Sequence, residues 1–330
     1  MSTLSSQTYT LDPRPSFPLL ISLKVYHDPQ TTSTDPDALT LVLAHATGYI
    51  KEVWEVWSIE APNHGEAAER NRRDVDWCYR PVFRWEDYAR SVHLVLSGGG
   101  TGVDLDLSQH RLVGIGHSMG GVAVMLSTTF YPALPYASLI LVDAMLGPYT
   151  SASDAVRGVL VGGAEKKEDT WGSVKEAREG MLKRGVWRAW EARAFNTFIK
   201  YGLKPVDKKV PNGAVTLVTP KVDAAASFRD PHGLTRGYLY LSDLVKRAPT
   251  HMIFGKIGDS LPNFIRDDVI NVASGGKDKL ASVKLVEGAG HLVTVTHPKE
   301  LASSIFDALQ ITGASLPPSA TKSESSKSKM

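Results

Sequence analysis

Ser118 stands in Gly116-His117-Ser118-Met119-Gly120, a G-x-S-x-G pattern. An apolar run (Leu112, Val113, Ile115) precedes it and a stretch of small and apolar residues follows as far as Leu126. The glycines have a mechanical purpose. A strand that turns straight into a helix leaves its central residue strained, with the side chain pushed outward, and a Cβ at either flank would meet neighbouring backbone. Ser118 is therefore expected at the carboxyl end of a sheet and above a helix N-terminus, whose positive end and Met119 N–H can hold a developing oxyanion. A serine hydroxyl attacks poorly until a base accepts its proton, and the base needs a carboxylate to fix its tautomer and stabilise its charge. Of ten histidines, His291 is the one in a small-residue loop, Gly288-Ala289-Gly290-His291, behind the final apolar run, which makes it the expected general base. Two acids compete. Asp143 ends the run Ser138 to Val142, and Asp259 follows the next one, Thr250 to Phe254; either loop can reach His291 from the same sheet edge.

A second oxyanion donor is expected from His45-Ala46-Thr47-Gly48, because a loop of small residues directly after a central strand turns backbone amides toward the nucleophile. Thr47 N–H is the first choice, with Gly48 beside it. The His45 ring reads as a pin that holds this loop.

These groups need a parallel sheet to gather them. Residues 39–44 (LTLVLA), 112–115, 138–142, 250–254 and 283–286 are short apolar runs suited to strands buried on both faces, and residues 16–27 read as early strands ending in a turn at Asp28-Pro29. Residues 85–96, the stretch after Ser118 to about Tyr131, and 298–310 have helical spacing, giving a strand–helix alternation. Val56 to Ile59 looks like a further strand, yet only residues 49–55 separate it from the Thr47 loop, too few for a crossover helix with its turns. Either this segment is not a parallel neighbour or a helix is missing, as an altered gene model would leave it. Between Gly147 and about Ala248 the pattern changes to polar helices and loops, read as an inserted helical cap. Within it Trp187, Trp190, Ala194, Phe198 and Tyr201 suggest one aromatic helix stripe that packs on the core and roofs the site, and a basic excess from Lys175 to Lys204 offers either a solvated face or a landing surface for an anionic substrate.

Composition excludes several classes. With 330 residues, 42% of them hydrophobic, the chain can bury a large core, and a net charge of +2 gives no pull toward nucleic acid. Cys78 is the only cysteine, so no intrachain disulfide forms. The N-terminal stretch lacks a secretory pattern, and no apolar run reaches the ~20 residues of a membrane span. No His/Cys/Asp cluster has metal-ligand spacing and no glycine-rich loop has a phosphate-binding pattern, so no metal or cofactor is expected.

Taken together, the Ser118 pentapeptide, His45-Ala46-Thr47-Gly48, Ala61-Pro62-Asn63-His64-Gly65 and the His291 loop resemble the α/β-hydrolase superfamily. The run HATGYIKEVWE with a terminal Ser328-Lys329-Met330 resembles a narrower group: fungal peroxisomal hydrolases of secondary metabolism, such as those for host-selective toxins and mycophenolic acid. The resemblance implies an α/β-hydrolase fold, with a mostly parallel sheet flanked by helices. Its core would be residues 1–146 and 249–312, its cap 147–248, and its disordered tail 313–330. It implies a serine hydrolase that cleaves a small-molecule acyl ester or thioester. In that subgroup the acid follows the strand after the nucleophile, which maps onto Asp143, and the family has a helix where residues 49–55 stand. Ser328-Lys329-Met330 is similar to the S-K-L peroxisomal address, which implies an import receptor as partner and the peroxisome as location. Acyl transfer to an alcohol or amine, or an inactive binding role on the same fold, are the alternatives.

Overall fold

The computed structural model describes residues 4–27, 38–53, 57–103, 107 and 110–315. The expected turn at Asp28-Pro29, most of the expected tail, and Ser328, Lys329 and Met330 lie outside the described residues.

The strands in chain order are β1 (Ser5–Leu11), β2 (Ile21–His27), β3 (Leu39–Ala44), β4 (Trp57–Ile59), β5 (Arg111–His117), β6 (Tyr136–Val142), β7 (Thr170–Trp171), β8 (Leu203–Pro205), β9 (Val215–Leu217), β10 (Thr250–Gly255) and β11 (Ser282–Val286). Eight of them form one sheet in the order β1-β2-β4-β3-β5-β6-β10-β11. β1 and β2 pair antiparallel, β2 meets β4 antiparallel, and every pair from β4 to β11 is parallel. The parallel strands alternate between two apolar layers, as strands covered on both faces must. Leu139 and Leu141 face the helices Trp85–Leu96, Met119–Ser127 and Gly233–Leu244, whereas Ile140 and Val142 face the helix Pro298–Ser315 through Leu301 and Ala308. β1 carried no apolar signal in the sequence because it is a polar edge strand, largely exposed.

One open alternative is decided and one expectation changes. β4 is a parallel neighbour of β3, with Val42 opposite Trp57 and Ala44 opposite Ile59. No α-helix joins them among the described residues, which show a single 3-10 turn at Lys51–Val53. Counted from Ala44 to Trp57, the crossover just meets the dozen or so residues a parallel pair needs. In place of a helix stands a buried ion cluster: the Lys51 ammonium lies 3.3 Å from Glu60, 3.2 Å from Glu66 and 3.2 Å from Glu52. Secondly, the aromatic stripe belongs to two helices, Gly185–Arg188 and Ala192–Tyr201, because Glu191 caps the second by accepting from Arg193 N and Ala194 N. Trp187, Trp190, Phe195 and Phe198 still gather into one cluster, but Tyr201 is partly exposed outside it.

The segment after β6 is not all cap. It begins with the helix Ser151–Glu165 and includes a small antiparallel sheet, β7-β9-β8. Its last helix, Gly233–Leu244, belongs to the main layers: Leu241 and Leu244 are buried in the core, and a Cβ on Gly237 would lie 2.5 Å from Leu146. The helix Lys221–Phe228 is tied down by Asp223, whose buried carboxylate meets Arg72 at 3.0 Å and Arg80 at 2.8 Å.

Candidate active site

The bend from β5 into the Met119–Ser127 helix gives Ser118 a φ of 55°, in the left-handed region that L side chains avoid. Its flanks have no room for a side chain. A Cβ on Gly116 would lie 2.3 Å from Gly120 O, and one on Gly120 would lie 2.2 Å from Ala44 O. The strained residue is held by its own backbone, Ser118 N donating to Val142 O at 3.1 Å and Ser118 O accepting from Gly121 N at 3.1 Å.

The His291 ring lies between the serine and one acid. Ser118 Oγ is 3.1 Å from Nε2, and Asp143 Oδ1 is 3.2 Å from Nδ1. An ionised carboxylate only accepts, so Nδ1 carries the proton and Nε2 offers its lone pair to the serine hydroxyl. Asp143 also has a positive φ, 41°, and its second oxygen accepts from Gly255 N at 2.7 Å. Burial pushes the Asp143 carboxyl up, but the His291 hydrogen bond and charge, with Gly255 N–H, hold it below its ordinary value. Asp259 meets the same histidine elsewhere. Its Oδ1 accepts from the His291 backbone N–H at 2.9 Å and from Ser260 N at 2.6 Å, so it braces the loop and does not touch the ring. A Cβ on Gly290 would lie 2.1 Å from the Asp259 carboxylate, which is why this loop needs glycine there.

At the oxyanion side, Thr47 and Met119 adjoin each other, Thr47 Oγ1 donating to Met119 Sδ at 3.2 Å. Met119 N opens its helix and has no intrahelical acceptor. Thr47 N has no described acceptor either, so both amides are free for a ligand oxygen. Two other residues of the loop are differently employed. Gly48 N donates to His64 Nε2 at 2.9 Å and is not a free oxyanion donor. His45 is fully buried, with both ring nitrogens taken by backbone: Ala61 N donates to its Nε2 at 3.0 Å and its Nδ1 donates to Ala46 O at 2.8 Å.

The sequence reading gave no role to His64 or His117. His64 Nδ1 donates to Asn63 Oδ1 at 2.8 Å, and Asn63 in turn donates to Asp223 O and Ser227 Oγ, linking the Thr47 loop to the helix that carries Asp223. His117 Nε2 donates to His291 O at 2.8 Å, so His291 is held through its N–H by Asp259 and through its carbonyl by His117. The signal was present in Asn63-His64 and in the second motif position, but nothing in their spacing says which backbone group each ring will meet. Burial forces all three rings to the neutral form: His45 is lowered to about 4 and His117 to about 3, the latter helped by the His291 charge, and His64 falls well below its ordinary value.

In front of Ser118 opens a chamber of about 270 Å³, walled by Trp85, Met145, Val156, Leu160, Phe228 and Leu234 among others, with Asp259 and His291 at its floor. Its lining arginine, Arg157, is paired with Asp154 at 2.7 Å. Among the described residues no group of three metal-ligating side chains converges, and no helix is long and apolar enough to cross a membrane.

An eight-stranded sheet of this order, with a strained serine at the turn after β5 and a histidine behind the last strand, defines an alpha/beta hydrolase. The Alpha/beta hydrolase family model matches residues 36–304, and the chain belongs to that family. It is 22% identical over 224 residues to the abhydrolase domain-containing protein AKT2 of Alternaria alternata, covering 60% of this chain and 83% of that protein. It is 25% identical over 226 residues to the type I acyl-CoA thioesterase mpaH of Penicillium roqueforti, covering 63% of this chain but only 49% of that protein. Among solved structures, the peroxisomal alpha-beta-hydrolase Lpx1 of Saccharomyces cerevisiae superposes with a TM-score of 0.74 at 19% identity, over 97% of this chain and 92% of that one.

Proposed function

We propose that the protein is a serine hydrolase that cleaves an ester or thioester of a largely apolar acyl group. The observation that carries this reading is the bridging of Ser118 Oγ and Asp143 Oδ1 by a single imidazole, at 3.1 and 3.2 Å. Ser118 Oγ attacks the acyl carbonyl as His291 Nε2 takes its proton, and the oxyanion is held by Thr47 N–H and Met119 N–H. His291 then hands the proton to the departing alcohol or thiol, leaving an acyl-enzyme. A water, deprotonated by the same nitrogen, releases the acid and restores the serine. Asp143 keeps the proton on Nδ1 and stabilises the imidazolium; Asp259 and His117 fix the loop. Water suffices as acceptor, so no metal or cofactor is invoked.

The apolar chamber supports an acyl substrate, the acyl-CoA thioesterase name of the Penicillium relative supports a thioester, and the resemblance carried by HATGYIKEVWE supports a place in fungal secondary metabolism. The tripeptide Ser328-Lys329-Met330 and the likeness to a peroxisomal hydrolase support import into peroxisomes by the tripeptide's receptor. Thiol release from acyl-thioesters by the wild type and by Ser118→Ala tests the chemistry. The reading expects release to fall to background in the variant; retained turnover would remove the covalent mechanism. A fluorescent-protein fusion carrying the last residues tests the address, and a diffuse cytosolic signal would overturn it.

A further inference from the structure

The chamber above Ser118 continues into a second one, of about 450 Å³, and the two share Thr47, Tyr49, Leu160, Val186, Phe228 and Leu292 as walls. Their charges differ in kind. In the first chamber the arginine is matched by Asp154, and Asp230 and Asp259 also reach the lining. In the second, the charged side chains of the lining are Lys167 and Arg184, with no acid among them.

Lys167 is held in place. Its Nζ sits 5.0 Å from the centroid of the Trp187 ring, itself packed at 4.6 Å on Trp190, which stacks on Tyr49. No carboxylate lies within ion-pair distance of Lys167 among the described residues. Among the described residues Arg184 has only the half-exposed Glu168, at 3.8 Å, and the nearby Asp169 is paired with Lys221 at 3.6 Å. A cation fixed on an aromatic face, in a cavity continuous with the nucleophile's and with no carboxylate in ion-pair contact among the described residues, is arranged to receive an anion from the ligand.

We infer that the second chamber is a subsite for an oxyanion of the substrate, a carboxylate or phosphate carried away from the scissile carbonyl and received by Lys167 and Arg184 while its apolar stem lies against Trp187, Trp190 and Phe228. This deepens the hydrolase reading and rests on it. The electrostatics agree: burial first, and then the Arg184 charge, lower the Lys167 ammonium to about 8 against the smaller opposing charge of Asp169, and an incoming anion would raise it again.

The oxyanion can belong to the acyl group or to the leaving group, and two substrate pairs separate these. The first pair is a p-nitrophenyl ester of an ω-carboxy acyl chain against the same compound with that carboxylate methylated. The second is one fatty acyl group as its coenzyme A thioester against its N-acetylcysteamine thioester. The wild type should prefer the anionic member of one pair by at least tenfold in kcat/KM. Lys167→Met and Arg184→Met should each cut that ratio severalfold, mainly through KM. Lys167→Glu should invert the preference, and the same chain with an ω-amino group should then become the better ester. Ratios near one in the wild type, or ratios unmoved in Lys167→Met, Arg184→Met and Lys167→Glu alike, would overturn the subsite. No hydrolysis of any of the four compounds by folded protein would instead count against the hydrolase reading.

Discussion

Replacing Asp143 by Asn isolates what the carboxylate does for His291. The two side chains have nearly the same shape, so the difference lies in hydrogen-bond chemistry. Asp143 accepts twice, from His291 Nδ1–H at 3.2 Å and from Gly255 N–H at 2.7 Å. Asp143 uses a different oxygen for each donor and asparagine has only one oxygen, so both of its orientations fail. With its NH2 toward the ring, His291 must place its proton on Nε2, and the lone pair that should take the Ser118 proton is gone. With its NH2 toward Gly255, two donors face each other in a buried site, at a cost of about 1–3 kcal/mol. The first orientation avoids that cost and is the one expected. A wrong tautomer in this arrangement lowers kcat by about 10⁴, or roughly 5 kcal/mol of transition-state stabilisation. Asp259→Asn gives the contrast. Asp259 Oδ1 alone accepts from His291 N and Ser260 N, and an amide oxygen can do the same, so its kcat should stay within about tenfold of wild type. Stopped-flow thiol release gives both numbers, and thermal melts show that both variants fold. A severe loss in Asp259→Asn with a mild one in Asp143→Asn would refute this division of labour.

Stability should fall in acid. His45, His64, His117 and His251 are all held neutral by burial. Their folded pKa values lie below the unfolded one, so the unfolded chain takes up protons first and stability is lost as pH drops below about 6.5. Glu60, raised to about 7, and Asp87, raised to about 6, both by burial, act in the opposite sense above pH 4.5. For these groups alone, four histidines against two carboxylates, about two net protons remain, on the order of 3 kcal/mol per pH unit between pH 6 and 4.5, and the lowered His93 and Asp143 add in the same sense; a flat unfolding free energy across that range would contradict the buried neutral rings. Lys51→Met should cost about 3–5 kcal/mol, because it leaves the buried Glu60 without its counter-ion and with only the Ala67 N–H to meet, and a loss below about 1 kcal/mol in urea unfolding would show that the ion cluster does not hold the β3–β4 crossover.

The parallel strands and the Ser118 bend were legible because local chemistry dictates them. Apolar runs such as Ser138 to Val142 have no other place than a sheet covered on both faces, and a Cβ at Gly116 or Gly120 would meet a backbone oxygen within 2.3 Å. The acid was ambiguous for a physical reason. Asp143 and Asp259 both stand at the carboxyl edge of adjacent strands and both bond to His291, one through the ring and one through the backbone, and spacing cannot distinguish those contacts. β1 escaped notice because an exposed edge strand needs no alternation. The β3–β4 crossover was left between two alternatives, and the structure has the second, a parallel neighbour with no α-helix among the described residues. What the sequence did not show is that Lys51 and Glu60 pair inside, because charge in a sequence reads as surface. The aromatic stripe kept helical spacing through a cap at Glu191 that interrupts the helix without moving Trp190 away from Phe198.

The activated serine is tested most directly by intact-mass analysis of the folded protein after exposure to a fluorophosphonate, followed by peptide mapping. One phosphonyl group on Ser118 is expected, with labelling slowed at least a thousandfold in His291→Ala. Folded wild-type protein that gains no mass, or gains it at another residue, would contradict the account.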